Sequence, residues 1–147
     1  MVSRRLEKGL LLAGALVLAA ATVYIIIVWK NIPDSIPVHF DASGRADAFG
    51  KRTSVLAPLV MGWLVYGVLA LTAAIPAVQK SMGNTARALG SVSGMLSAVA
   101  LSVALCFSYI CVRIANCADL GAWFLPVFLV LMLLPIVLVS LLALIRR

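Results

Sequence analysis

The residues most suited to chemistry lie between two long apolar runs. They read Ile32-Pro33-Asp34-Ser35-Ile36-Pro37-Val38-His39-Phe40-Asp41-Ala42-Ser43-Gly44-Arg45-Ala46-Asp47-Ala48-Phe49-Gly50-Lys51. The only histidine of the chain, three aspartates and Lys51 fall within these residues. An imidazole with carboxylates suits a divalent metal, which makes His39, Asp41 and Asp47 candidate ligands. No second histidine and no diagnostic ligand spacing accompany them. The competing reading is structural: Asp41 or Asp47 pairs with Arg45, Lys51 or His39 and pins a rigid elbow, with Phe40 and Phe49 buried in the mouth of a helix bundle. No nucleophile stands beside a positioned base, and no glycine-rich phosphate loop is present. The expectation is a chain without catalytic residues or a cofactor, and not an enzyme.

The backbone of this loop is constrained by its own residue types. Two Ile-Pro steps, ending on Pro33 and Pro37, disfavour helix at the residue before each proline. Val38, Phe40 and Ala42 alternate with His39, Asp41 and Ser43 as on a short strand, so His39 and Asp41 are expected to share a face. Gly44 and Gly50 supply positions where positive φ is cheap and predict a tight turn with a close return to the membrane. Thr53 or Ser54 is placed to cap the helix that follows.

The elements that hold the loop are apolar. The chain has 147 residues, 64% hydrophobic and 12% charged, with a mean hydropathy of +1.14. A soluble domain carries about a quarter charged residues. Four runs, at about 9–29, 55–78, 89–112 and 120–145, match the roughly 20 helical residues needed to cross a hydrocarbon core. The expected architecture is an all-α membrane protein: one domain over 1–147, a four-transmembrane-helix bundle with a structured, partly extended loop over 31–54 between helices 1 and 2. Arg4 and Arg5 ahead of an apolar run resemble a secretory signal, yet the run continues through Ile25, Ile26, Ile27 and Val28. That is longer than a cleavable segment and predicts an uncleaved span.

The net charge of +7 does not imply nucleic acid, because the basic residues flank the apolar runs as headgroup anchors. No Asp, Glu, Lys, Arg or His lies within the four runs, which argues against a pump or proton-coupled carrier. Seven basic residues fall at the N-terminus, in the segment 79–88 and at the C-terminus; Lys30, Arg45, Lys51, Arg52 and Arg113 fall on the other side. This bias predicts a multi-pass protein of the cell membrane with both termini cytoplasmic and the His39 loop outside. Gly90 and Gly94, and Ser93 and Ser97, recur four apart and predict close helix packing within the bundle; oligomer formation is the alternative use of that face. Pro76, Pro126 and Pro135 are candidate kink sites. Cys106 reads as a small buried hydrophobe, while Cys111 and Cys117 are near enough in sequence to be considered as a disulfide.

The loop residues Pro33, Ile36, Pro37, His39, Phe40, Gly44, Asp47, Gly50 and Lys51 resemble the signature of the domain of unknown function 1648, a membrane family. Asp41 stands where that family often has Asn, Ala46 where Pro is common, and Phe49 where Trp is common. The family domain also forms the N-terminal part of SdpI-type immunity proteins, which have further helices, resist a secreted peptide toxin and sequester a repressor at the membrane. The resemblance implies a non-enzymatic immunity, sensing or scaffold protein whose outward loop meets a membrane protein or peptide partner, with the lipid bilayer as its surroundings. The alternatives are a small transporter or transporter subunit and a metal-dependent membrane enzyme.

Overall fold

A computed structural model describes residues 4–75 and 92–145, with the backbone alone for residues 4, 139 and 142–145. Helix α1 spans Arg4–Val28 and passes through a 3-10 turn, Trp29–Asn31, into strand β1, Ser35–Phe40. Strand β2, Ala46–Lys51, returns antiparallel and leads through a second 3-10 turn, Arg52–Val55, into α2, Leu56–Ala74. Helices α3, Val92–Ala115, and α4, Phe124–Ile145, follow. The expected four-helix architecture with a partly extended first loop is therefore what the chain adopts. Gly90, Pro76 and the expected helix ends at 78 and 89 lie outside the described residues.

Among the described residues, three helices are long and apolar enough to cross a membrane: α1, α2 with its leading turn, and α3. The 22 residues of α4 are apolar but for Ser140, with Pro135 inside the helix; Pro126 falls instead in its first turn. Bounded as they are by charged ends, these helices make the chain an integral membrane protein.

Helix α3 is the centre of the bundle, packed along both α1 and α2, with α4 leaning on its other side. Its buried face is made of small residues, including Gly94, Ser97, Ala100, Ala104, Ser108 and Cys111. Small side chains let backbones approach, which is the main source of helix adhesion where lipid removes the hydrophobic drive. Gly94 and Ser97 are thus used inside the bundle. Gly62 of α2 serves the same end, because a Cβ there would meet Phe107 Cβ at 2.8 Å and Leu18 Cδ2 at 3.2 Å. Polar groups in the spans are satisfied locally: the Tyr66 hydroxyl donates to the Leu11 carbonyl, Trp63 Nε1 donates to Thr22 Oγ1 at 3.1 Å, and the Ser108 hydroxyl reaches the Val17 carbonyl at 3.4 Å. Unpartnered groups at that depth cost several kcal/mol, on the order of a lost helix contact or more.

The upper core joins bundle and loop. Ile32, Ile36 and Val55 enter a cluster with Ile25, Leu59, Cys111 and Ile114, while Phe40 and Trp29 pack against it half-buried. The two strands pair from Ser35↔Lys51 to Phe40↔Ala46, but the pairing skips Val38 on β1 and Asp47 on β2. Each skipped residue is a bulge, where two residues oppose one and the alternation of faces is broken.

One local expectation is corrected. Neither Thr53 nor Ser54 caps α2: its N-cap position is Val55, without a side-chain cap, because a 3-10 turn already winds the chain into the helix. Cys111 and Cys117 are both free thiols, the first buried on α3 and the second exposed beyond its end.

Helix α3 ends in a Schellman motif. The Ala118 amide donates to the Arg113 carbonyl at 3.0 Å, the Cys117 amide donates to the Ile114 carbonyl at 3.0 Å, and Cys117 has φ +49°. This is the left-handed position where glycine is usual, and a residue with a Cβ costs roughly 1–2 kcal/mol there. Cys117→Gly is accordingly expected to stabilise the detergent-solubilised protein by about 1 kcal/mol, read as a higher midpoint of thermal unfolding.

Candidate functional site

The loop predicted to carry chemistry is a hairpin seated on the connector between α3 and α4. Its turn, residues 41–45, is organised by one carboxylate. Asp41 Oδ1 accepts from the Ser43 amide at 2.8 Å, the Ser43 hydroxyl at 2.7 Å and the Arg45 amide at 2.9 Å. The backbone closes around it, with the Asp41 amide donating to the Arg45 carbonyl and the Gly44 amide to the Asp41 carbonyl, both at 2.9 Å. The Ser43 hydroxyl is the main cause that holds the Asp41 carboxyl below its ordinary value of 3.8, with the Arg45 amide next. Donors aimed at the ionised form stabilise it.

At the tip, Gly44 has φ +74° and meets the connector backbone directly. Its carbonyl accepts from the Leu120 amide at 2.8 Å and from the Gly121 amide at 3.3 Å. A Cβ on Gly44 would clash with the Gly121 carbonyl oxygen. The Ala46 amide donates to Asp119 Oδ1 at 2.9 Å, which ties the start of β2 to the same connector. At the base of the hairpin the Arg52 amide donates to the Asp34 carbonyl at 3.1 Å, and Arg52 Nη2 stands 3.3 Å from Asp34 Oδ1. The Arg52 guanidinium also lies 6.0 Å from the centre of the Trp29 ring. The connector is anchored in turn by the Arg113 Nε bond to the Asp119 carbonyl, the Tyr109 hydroxyl bond to the Leu120 carbonyl and the Asn116 amide bond to the Tyr24 hydroxyl.

Of the singled-out residues, Ile36 and Pro37 are buried and Phe40 is half-buried. Gly50 lies beneath Val38, whose Cγ1 would be 2.8 Å from a Cβ there. The remainder face away from the bundle: Pro33, His39, Asp47, Phe49 and Lys51 are exposed. The expected burial of Phe49 is corrected, since it is 62% exposed. It sits opposite Pro37 and outside the bulge-shifted stretch.

His39 pairs with Asp47, not with Asp41. His39 Nδ1 and Asp47 Oδ1 are 2.6 Å apart, with side chains 68% and 46% exposed. The bulges at Val38 and Asp47 bring these two across the strands, while Asp41 is spent on its turn. An ionised carboxylate only accepts, so Nδ1 carries the proton and Nε2 is the ring nitrogen left for another partner. A carboxylate behind an imidazole is the arrangement that orients a ligating histidine. Among the described residues, however, no three of His, Cys, Asp and Glu form a group that could hold a metal ion, so His39, Asp41 and Asp47 are not gathered into one.

Below the hairpin lies a cavity of about 250 Å³ lined by Val38, Phe40, Ser54, Pro58, Ile110 and Leu120 among others. The connector residues Asp119, Leu120 and Gly121 were not singled out by sequence reasoning. The available signal was the polar stretch Asn116–Asp119 ahead of a glycine, on the same side of the bundle as the loop by the charge bias.

Comparison with known proteins agrees with the loop's resemblance. The family described as Domain of unknown function (DUF1648) matches residues 16–62, the end of α1, the hairpin and the start of α2. The chain is similar to an uncharacterized protein of Archaeoglobus fulgidus, 33% identical over 49 residues, which is 33% of this chain and 27% of that protein. The chain thus matches about a quarter of the relative's length. No solved structure matches.

Two predictions follow the turn chemistry. Gly44→Ala adds a left-handed cost of roughly 1–2 kcal/mol and a clash with connector backbone, so protease cleavage of the hairpin is expected to rise well above wild type. The second concerns acid. A carboxyl held low in the folded state contributes stability that is full above its unfolded value, here 3.8, and lost as pH falls through the lower folded value. Hydrogen exchange at the Ser43 and Arg45 amides is expected to stay slow down to pH 3.8 and to accelerate below it, and Asp41→Ala should remove the protection at every pH.

Proposed function

We propose that this membrane protein is a non-enzymatic immunity, sensing or scaffold protein that recognises a peptide or membrane-protein partner through the exposed face of its hairpin, displayed outside the cell. The observation that carries the reading is a division within the hairpin. Ile36 and Pro37 are buried and fasten it to the bundle, while Phe49, His39, Asp47 and Lys51 are exposed. An exposed ion pair contributes about 0–1 kcal/mol to folding, and an exposed phenylalanine contributes little more. Rigidly held aromatic and charged groups are the usual anchors of a protein contact. A carboxylate-oriented imidazole adds one directional donor or acceptor at its centre.

Phe49→Ala and His39→Ala are expected to express and melt like wild type and to lose co-purification of the partner or protection against a peptide toxin. Unfolding of either variant would favour a purely structural elbow, and unchanged partner retention would remove the reading. Cys117 reports the side: it is exposed at the hairpin's end of the bundle, while Cys106 and Cys111 are buried. Labelling of intact cells with a membrane-impermeant maleimide should modify wild type and not Cys117→Ala. Absence of labelling in intact cells, with labelling after lysis, would place the hairpin inside.

A further inference from the structure

A groove of about 570 Å³ runs between α3 and α4, away from the hairpin's exposed face. Its walls include Leu105, Cys106, Tyr109, Phe124, Val127 and Leu131. Along α4 the lining extends from Phe124 to Leu131, about 10 Å at 1.5 Å per residue, so the groove descends from the membrane surface into the hydrocarbon. The wall is aromatic at the upper end, where Tyr109 stacks on Phe124 at 5.6 Å and Phe124 on Phe128 at 6.0 Å. Trp123 stands at the mouth, 79% exposed, as tryptophan does at the headgroup level.

Arg113 stands one helical turn beyond Tyr109 on α3, next to the groove's aromatic end. Its guanidinium lies 5.9 Å from the centre of the Tyr109 ring, and its Nε is spent on the Asp119 carbonyl. The fork beyond Nε keeps four N–H donors, and no further partner for them occurs among the described residues. The nearest acid, Asp119, is engaged through Oδ1 by the Ala46 amide. A cationic fork at headgroup level above an apolar, aromatic-walled trough has the polarity of one molecule: a phosphate with an acyl chain beneath it. Arginine matches phosphate oxygens two at a time, and basic pockets between spans are sites of lipid headgroups.

We propose that the α3–α4 groove holds one phospholipid, its acyl chain along Tyr109, Val127 and Leu131 and its phosphate on the Arg113 guanidinium. The lipid fills the gap left because α4 packs on the bundle mainly through α3, and so sets the position of α4.

Native mass spectrometry tests this on the full chain, reconstituted in vesicles of phosphatidylethanolamine and phosphatidylglycerol, re-extracted in detergent and washed. Wild type is expected to keep one phospholipid adduct. Arg113→Gln should lower the retained fraction about tenfold, the scale of one lost charge-assisted contact, and Arg113→Lys should restore part of it. Val127→Trp, which fills the trough without altering charge, should abolish the adduct; it decides the matter if Arg113→Gln weakens folding through the Asp119 bond. Arg45→Gln, on the hairpin, should retain lipid like wild type. Equal retention by all variants would mean an adventitious annular lipid only, and a lipid-free dimer would mean a second copy covers the groove; either overturns the proposal.

Discussion

In a bilayer the backbone of a non-helical segment must find its hydrogen bonds inside the protein or at the water surface. The hairpin and the α3–α4 connector meet this demand together, at the carbonyl of Gly44. That one oxygen takes the amides of Leu120 and Gly121, two donors that the irregular connector could not satisfy within itself. The contact needs the tip bare at Gly44, and a left-handed backbone at both Gly44 and Gly121. With it in place, Asp119 reaches Ala46, the Tyr109 and Arg113 side chains can hold the connector from below, and α4 starts from a fixed point. The mouth of the bundle is therefore locked by main chain rather than by charge.

Magnitudes separate what holds the hairpin from what it presents. Removing a buried aliphatic such as Ile36 costs about 2–5 kcal/mol. The His39–Asp47 pair, largely in water, is worth about 0–1 kcal/mol. Anchoring thus rests on Ile32, Ile36 and Val55 among the helix ends. Evolution is left free to vary or exploit the outer face without losing the fold, which is the condition a recognition surface requires.

The helices were legible because lipid imposes a simple rule: about 20 apolar residues bounded by charge make a span. The turn at Gly44 was legible for a similar reason, since few residues tolerate positive φ. The faces of the hairpin were not. Strict alternation puts His39 with Asp41, but the bulges at Val38 and Asp47 break it and His39 meets Asp47 instead, and no local residue preference announces them. The seat on the connector was invisible too, since Asp119 and Gly121 are some seventy residues away from their partners and ordinary in isolation. The N-cap expectation at Thr53 or Ser54 failed because a 3-10 turn occupied the place where a side-chain oxygen would have acted.

The two bulges have a bearing on how this hairpin tolerates change in length. Ser35 through Pro37 pair in one frame with Lys51 through Phe49; between Pro37 and His39 the frame advances by one on β1, and between His39 and Phe40 it is restored on β2. The extra residues cancel, so the turn and the base of the hairpin remain in phase. Loss of Val38 alone would shift the Asp41 turn by one residue relative to its seat and carry the Gly44 carbonyl off the Leu120 and Gly121 amides. Loss of Val38 and Asp47 together would be length-neutral for the frame while erasing the histidine's partner. Insertions and deletions in this loop are therefore coupled in pairs, and a homologous loop with a regular ladder would keep the anchor yet display a different outer face.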